Sequence, residues 1–310
     1  MATSAVRSVP RVLDKYMLPK VAFVVITGAS MAGAALTGLR HGETSWGLLA
    51  LRWAAWWLLA LLTGAEVWKI FYLRPAVKLR PVKGALEYAE AMLLLHRRWQ
   101  RVLLPLAALA VAVNFALYAA NYAGAQRWVL AGAVCLALAA GAVLLNWPEP
   151  LATQQQDRFS PVALAGLAAT AACMAGLDVT LQGGPLWLVL NRTLHLWAFS
   201  AWLGGALWNI FIAVPAATER VNMDTVILAN FQLERFRVVV RTVFPTIILT
   251  GLVQAWAMFG WQWQALFTNT WGYLVLTKIG LILVLVGVFI ACPMWRACSP
   301  IRGVCNLDDL

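Results

Sequence analysis

The chain has 310 residues, 62% of them hydrophobic and only 12% charged, with a formal net charge of +11 and a mean hydropathy of +0.74. That balance excludes a soluble globular domain. About 20 apolar residues suffice to cross a bilayer, and eight such runs occur, near 19–38, 46–73, 102–122, 127–147, 160–180, 186–215, 238–261 and 271–294. The expectation is an all-α, polytopic membrane helical bundle of about eight transmembrane helices. Seventeen Trp, many near span ends, fit the aromatic belts of membrane interfaces. The positive charge is topological and excludes a nucleic-acid footprint. Only Arg40 and Arg127 fall in outer loops, Arg52, Arg192 and Lys278 lie within spans, and the other basic residues gather on the opposite side. The positive-inside rule then predicts that both termini are cytoplasmic.

Residues 1–20 are basic and hydrophilic and predict no cleavable signal. The first span carries Gly28, Gly33 and Gly38, small residues that favour close helix packing. His41 follows in a short outer loop and reads as solvated surface. In the second span Glu66 and Lys69, three apart, can pair on one helix face; a proton or cation relay is the sharper reading of Glu66. From Arg74 to Arg101 the chain is strongly basic, which predicts an amphipathic cytoplasmic helix against anionic head groups, with His96 on its face. Spans three and four read as scaffold. The stretch Trp147–Ser160, with two prolines and a Gln run, marks the internal boundary.

A shift of 140 residues then lays the second span on the sixth. Arg52 falls on Arg192, Trp57 on Trp197, Gly64 on Gly204, Trp68 on Trp208 and Pro75 on Pro215; Arg97, Arg101 and Pro105 meet Arg237, Arg241 and Pro245 without a gap. Shared Arg, Trp, Gly and Pro in register exceed chance hydrophobic similarity, so two parallel four-helix repeats are expected. The division is residues 1–150 for a scaffold-like first half, 151–294 for a second half, and 295–310 for a cytoplasmic tail carrying Cys298 and Cys305. The second half holds the polar differences: His195 falls on Ala55, and Lys278 has no basic counterpart in the fourth span.

The sixth span therefore attracts attention. Arg192, His195, Phe199, Trp202 and Asn209 share one face, while Ala201, Gly204 and Gly205 form a small-residue patch. An ionisable side chain inside a bilayer commonly costs ~3 kcal/mol or more, so His195 is expected to face a partner or ligand. His195 and Lys278 lie nine and seven residues from the outer ends of their spans, roughly 13 and 10 Å deep. Cys173 and Met174 reach a similar depth, and Met258 lies towards the outside. Imidazole, thiolate and thioether suit a soft ion such as Cu(I); imidazole in an aromatic surround equally suits a haem iron. Packing is the plainer role for Met174 and Met258, and snorkelling for Lys278. Cys292, Cys298 and Cys305 match no standard zinc or iron–sulfur spacing. No nucleotide-binding motif or hydrolytic triad is present in the sequence, so an enzyme is not the leading expectation.

His195-x6-Trp202-x-Gly204-Gly205, Phe231 with Glu234-Arg235-Phe236, Pro245 with Thr250-Gly251, and Trp271-Gly272-x5-Lys278 together resemble the copper resistance D (CopD) domain over about 190–294. The resemblance implies copper handling at the bacterial inner membrane, with His195, Met174 and Met258 as candidate metal ligands and Arg192, Trp202 and Lys278 around them. Periplasmic copper-binding proteins would then be natural partners. The order His195, Glu234-Arg235, Lys278 is also similar to distant HemJ-type haem-associated membrane proteins. That likeness implies haem b as the alternative cofactor, with His195 as axial ligand. A third expectation is an accessory subunit of a larger membrane complex.

Overall fold

The computed structural model describes residues 17–78, 83–146, 159–219, 222–262 and 264–291; the linker at 147–158 and the cysteines at 292, 298 and 305 lie outside them. The helices are α1 (Met17–Arg40), α2 (Trp46–Lys78), α3 (Lys83–Asn121), α4 (Gln126–Leu145), α5 (Ser160–Thr180), α6 (Leu186–Trp208), α7 (Val214–Thr218), α8 (Met223–Phe259), α9 (Ala265–Thr268) and α10 (Thr270–Ala291). A π-helical turn, Asn209–Ala213, joins α6 to α7. Eight segments are long and apolar enough to cross a membrane, and no strand occurs among the described residues. The chain is a multi-pass helical membrane protein, and its outer helices contact lipid.

The repeat organises the packing. α4 lies along α5 as α1 lies along α10; α2 packs on α3 as α6 packs on α8; α1 meets α2 as α5 meets α6. These pairings recur between the halves, and α2 packs along α6 where the halves meet. Gly64 and Gly204, equivalent in the repeat, touch there: a Cβ on Gly204 would run into the Gly64 backbone, and one on Gly64 into Ser200 and Gly204. The small patch on α6 is therefore a backbone-to-backbone contact. Trp68 Nε1 donates to the Ala201 carbonyl across it at 2.7 Å. The repeat extends to ring pairs, since Trp68 packs on Phe236 at 5.4 Å as Trp208 packs on His96 at 4.8 Å.

Two helices run far longer than a bilayer requires. α3 has 39 residues and α8 has 37, roughly 58 and 56 Å at 1.5 Å per residue, against a hydrocarbon core of about 30 Å. The amphipathic segment expected as a separate cytoplasmic helix is instead the first part of α3, continuous with its span through Pro105. Its Ala85, Tyr88, Ala89 and Met92 form a second apolar core with Trp68, Trp208, Ile212, Val226 and Ala229. The π turn lies against this core, just before Pro215. Proline lacks an N–H and crowds the preceding turn, which accounts for the local widening, and Asn209 Nδ2 donates to the Gly205 carbonyl at 2.8 Å.

The Gly64–Gly204 contact gives a direct expectation. Gly204→Val overpacks α2 against α6 and should cost about 1–3 kcal/mol, read as a lowered unfolding midpoint in detergent. Gly141→Ala, where a Cβ would meet nothing, should leave it unchanged.

Candidate functional site

Polar side chains collect in two layers, one at the end of the bundle that carries the α1–α2 turn and one towards the opposite end. The first is centred on Asp178 of α5, which is 3% exposed. Asp178 Oδ1 accepts from Arg52 Nη1 at 2.9 Å and Tyr118 Oη at 2.5 Å. Its Oδ2 accepts from Arg192 Nη2 at 2.8 Å and Nε at 3.2 Å. The two arginines are repeat equivalents, so one carboxylate bridges both halves at once. Arg52 also binds both oxygens of Glu43. Arg192 reaches Thr37 Oγ1 and Gln254 Oε1, each at 2.9 Å. Side chains from α1, α2, α3, α5, α6 and α8 thus converge on one carboxylate. Arg192, expected to face a cofactor, has its guanidinium committed to this network.

His41 is not free surface. Its ring lies 3.8 Å from Asp178 and its side chain is 2% exposed. Tyr118 and Tyr122 pack edge-on against it, and Gln182 Nε2 approaches its Nε2 at 3.1 Å. Burial holds the imidazole below its ordinary range; Asp178 opposes that shift, Arg52 reinforces it, and Glu43 and Arg192 act more weakly in opposite senses.

One turn along α6 from Arg192, His195 is buried. Its Nδ1 lies 2.8 Å from Thr250 Oγ1 on α8. The Thr250 hydroxyl has one proton, and Oγ1 sits 2.6 Å from the Thr246 carbonyl and 3.2 Å from that of Ile247. The hydroxyl therefore donates to the backbone and accepts from His195, which assigns the proton to Nδ1 and leaves Nε2 with a lone pair. This is the arrangement that orients an imidazole for a metal. In the sequence Thr250 stands out only within Thr250-Gly251; a helical Thr hydroxyl turned onto its own backbone carries no distinguishing sequence signal.

The other expected site residues distribute around His195 unevenly. Trp202, two turns along α6, is 4% exposed and lies between Phe244 of α8 at 5.4 Å and Phe289 of α10 at 5.9 Å. Lys278 sits on α10 facing α1, its Nζ 3.6 Å from where a Cβ on Gly33 would stand. It and Arg192 are the cations whose fields reach His195. Met174 is 1% exposed within the apolar core. Met258 lies eight residues beyond Thr250 on α8, roughly 12 Å along the axis, next to the turn of Gln254. No group of three or more His, Cys, Asp or Glu that could hold a metal occurs among the described residues.

The second layer surrounds Glu66 on α2, fully enclosed. Lys69 Nζ lies 3.7 Å away and His96 Nε2 3.3 Å away, and Gln100 Nε2 donates to Oε1. Lys69 Nζ also donates to Ser160 Oγ at 2.7 Å. The expected Glu66–Lys69 pair is present. His96, expected on the basic face of an amphipathic helix against head groups, is instead 0% exposed. Its 3.6-period position within a longer helix, rather than local charge, decides that burial.

Fold and polar layers together define a multi-pass helical membrane protein with a buried, oriented histidine. Residues 231–299 match the family model described as Copper resistance protein D, which bears out the resemblance over that segment. The match covers most of α8 and all of α9 and α10, the helices that supply Thr250, Phe244, Lys278 and Phe289. No curated protein and no solved structure matches the chain.

Two outcomes follow from the first layer. Asp178→Ala leaves Arg192 without its carboxylate and Arg52 with Glu43 alone, and should cost about 3–5 kcal/mol, measured as unfolding in detergent, whereas Glu219→Ala on the exposed turn after α7 should cost little. For His41 the folded pKa lies below the unfolded one, near 6.5. Stability is therefore complete above about pH 6.5 and declines as pH falls from there towards the folded value. His41→Gln should flatten that decline in a pH series of unfolding midpoints.

Proposed function

We propose that this is an inner-membrane copper-handling protein in which His195 offers Nε2 to copper as cargo. The observation that supports the reading is the Nδ1–Thr250 hydrogen bond, because it leaves Nε2 unprotonated on an imidazole held against α8, within the segment that matches the copper family. By the positive-inside rule the α1–α2 turn faces the periplasm, so copper would arrive from that side, delivered by a periplasmic copper-binding protein. Trp202, Phe244 and Phe289 make an apolar wall that keeps bulk water from the ligand. Met258 could contribute a thioether only on the approach to His195. Met174 serves packing.

Lys278 favours a second reading. Its ammonium repels a bare cation at His195 but would pair with an anionic group, as a haem propionate does. In that reading haem b would be held by His195 against the aromatic wall, with Lys278 facing its carboxylates. Haem would supply redox chemistry, and this chain would supply the axial nitrogen, the pairing charge and the dry surround. An accessory role in a larger membrane complex would instead rest on the exposed apolar faces of α8 and α10.

His195→Ala should abolish copper tolerance conferred on a copper-sensitive host while leaving membrane insertion intact. Thr250→Val keeps the shape but removes the acceptor for Nδ1–H; its copper affinity should fall about 10–100-fold, as for other supporting partners of a ligating histidine. Unchanged affinity in both variants would contradict the assignment.

A further inference from the structure

A different pair of groups stands apart from His195. Cys135 of α4 and Cys173 of α5 face each other across one of the bundle's most extensive helix contacts. Both are free thiols, Cys173 buried and Cys135 half-buried. The backbone brings this about. Gly132 lets α5 approach until its Cβ position is 3.1 Å from Cys173 Cβ, and Gly166 does the same 2.8 Å from the Cys135 carbonyl. α4 and α5 run antiparallel, with Gly132 level with Cys173, so Cys135 lies three residues, roughly 4.5 Å, deeper than Cys173. Helical side chains lean towards their own N-termini. Cys135 therefore leans up towards the level of Cys173, and Cys173 leans down towards Cys135. The thiols converge about 10–14 Å below the helix ends, close to the depth of His195.

We propose that Cys135 and Cys173 form a two-sulfur site for a monovalent soft metal ion, Cu(I) in the cell. Two sulfurs opposed across a helix pair suit two-coordinate binding, and thiolates select Cu(I) among the biological metals. Binding exchanges two S–H protons for one Cu(I), giving a bis-thiolate and releasing two protons; neither metal nor sulfur changes oxidation state. The equivalent place in the repeat holds Gly33 opposite Lys278, a cation where this pair would bind one. The two halves thus carry opposite chemistry at one depth. The site needs only the two thiols, and its preference for Cu(I) over other soft ions rests on the copper reading above.

The test uses the full-length protein in detergent with Cys292, Cys298 and Cys305 changed to Ser. Ag(I) and, anaerobically, Cu(I) are titrated against a competing chelator while the sulfur-to-metal ultraviolet band is followed. One ion per chain is expected, with affinity falling more than about 100-fold in Cys135→Ser and in Cys173→Ser. The Cys→Ala versions and unfolding midpoints check that the fold is retained. His195→Ala should leave the sulfur band intact, so loss of the histidine site and loss of this one are read separately. No bound ion, binding unchanged without the cysteines, or a Cys135–Cys173 disulfide in protein isolated with its thiols blocked would each overturn the proposal.

Discussion

A buried carboxylate must be compensated, and Asp178 meets that demand with one arginine from each half of the repeat. Isolated, either guanidinium or the carboxylate would carry a desolvation penalty of several kcal/mol. Held together, they make the meeting of α2, α5 and α6 at this level the arrangement that leaves no charge stranded. The duplication would supply two arginines whether or not two acids existed. The equivalent of Asp178 in the first half is Gly38, against which Arg52 and Glu43 pack. The shared acid is thus what converts two similar halves into one interlocked bundle. His195 gains its position from the same constraint, because Arg192 one turn away fixes the rotation of α6.

Departures from the repeat separate the polar residues of the two halves. α3 packs against α4, whereas α8 and α10 hardly meet and leave Trp202 wedged between Phe244 and Phe289. That looser arrangement exists where His195 and Lys278 lie. The tight pairing of α4 with α5 instead sets Gly132 against Cys173 and Gly166 against Cys135. Towards the opposite end Glu66, Lys69 and His96 have no charged equivalents in the second half, where Ala206, Asn209 and Phe236 take their places. Each half has therefore kept the helix contacts and spent its polar residues differently.

Much of this was legible in the sequence. Apolar length and basic asymmetry specify eight spans, and Arg, Trp, Gly and Pro in register over 140 residues specify the repeat. Gly204 and its neighbours read correctly as a close-contact patch. The partners of individual polar groups were less accessible. Asp178 is a single acid near the end of an apolar run, and only the convergence of six helices reveals it as a centre. His41 and His96 sit in polar stretches that resemble surface, yet tertiary contacts enclose both. Thr250 was visible as part of a motif but not as the acceptor that sets the tautomer of His195. Sequence period gives a face, while the neighbour across that face depends on the packing of the whole bundle.

The most direct measurement is an absorption spectrum with elemental analysis of the detergent-purified protein, beside His195→Ala prepared in the same way. The copper account predicts copper in the parent protein, reduced in the variant, and no Soret band in either. A Soret band with a reduced α band, lost in the variant, would contradict it and make His195 a haem ligand; copper content unaffected by the substitution would contradict any role for His195 in holding the ion.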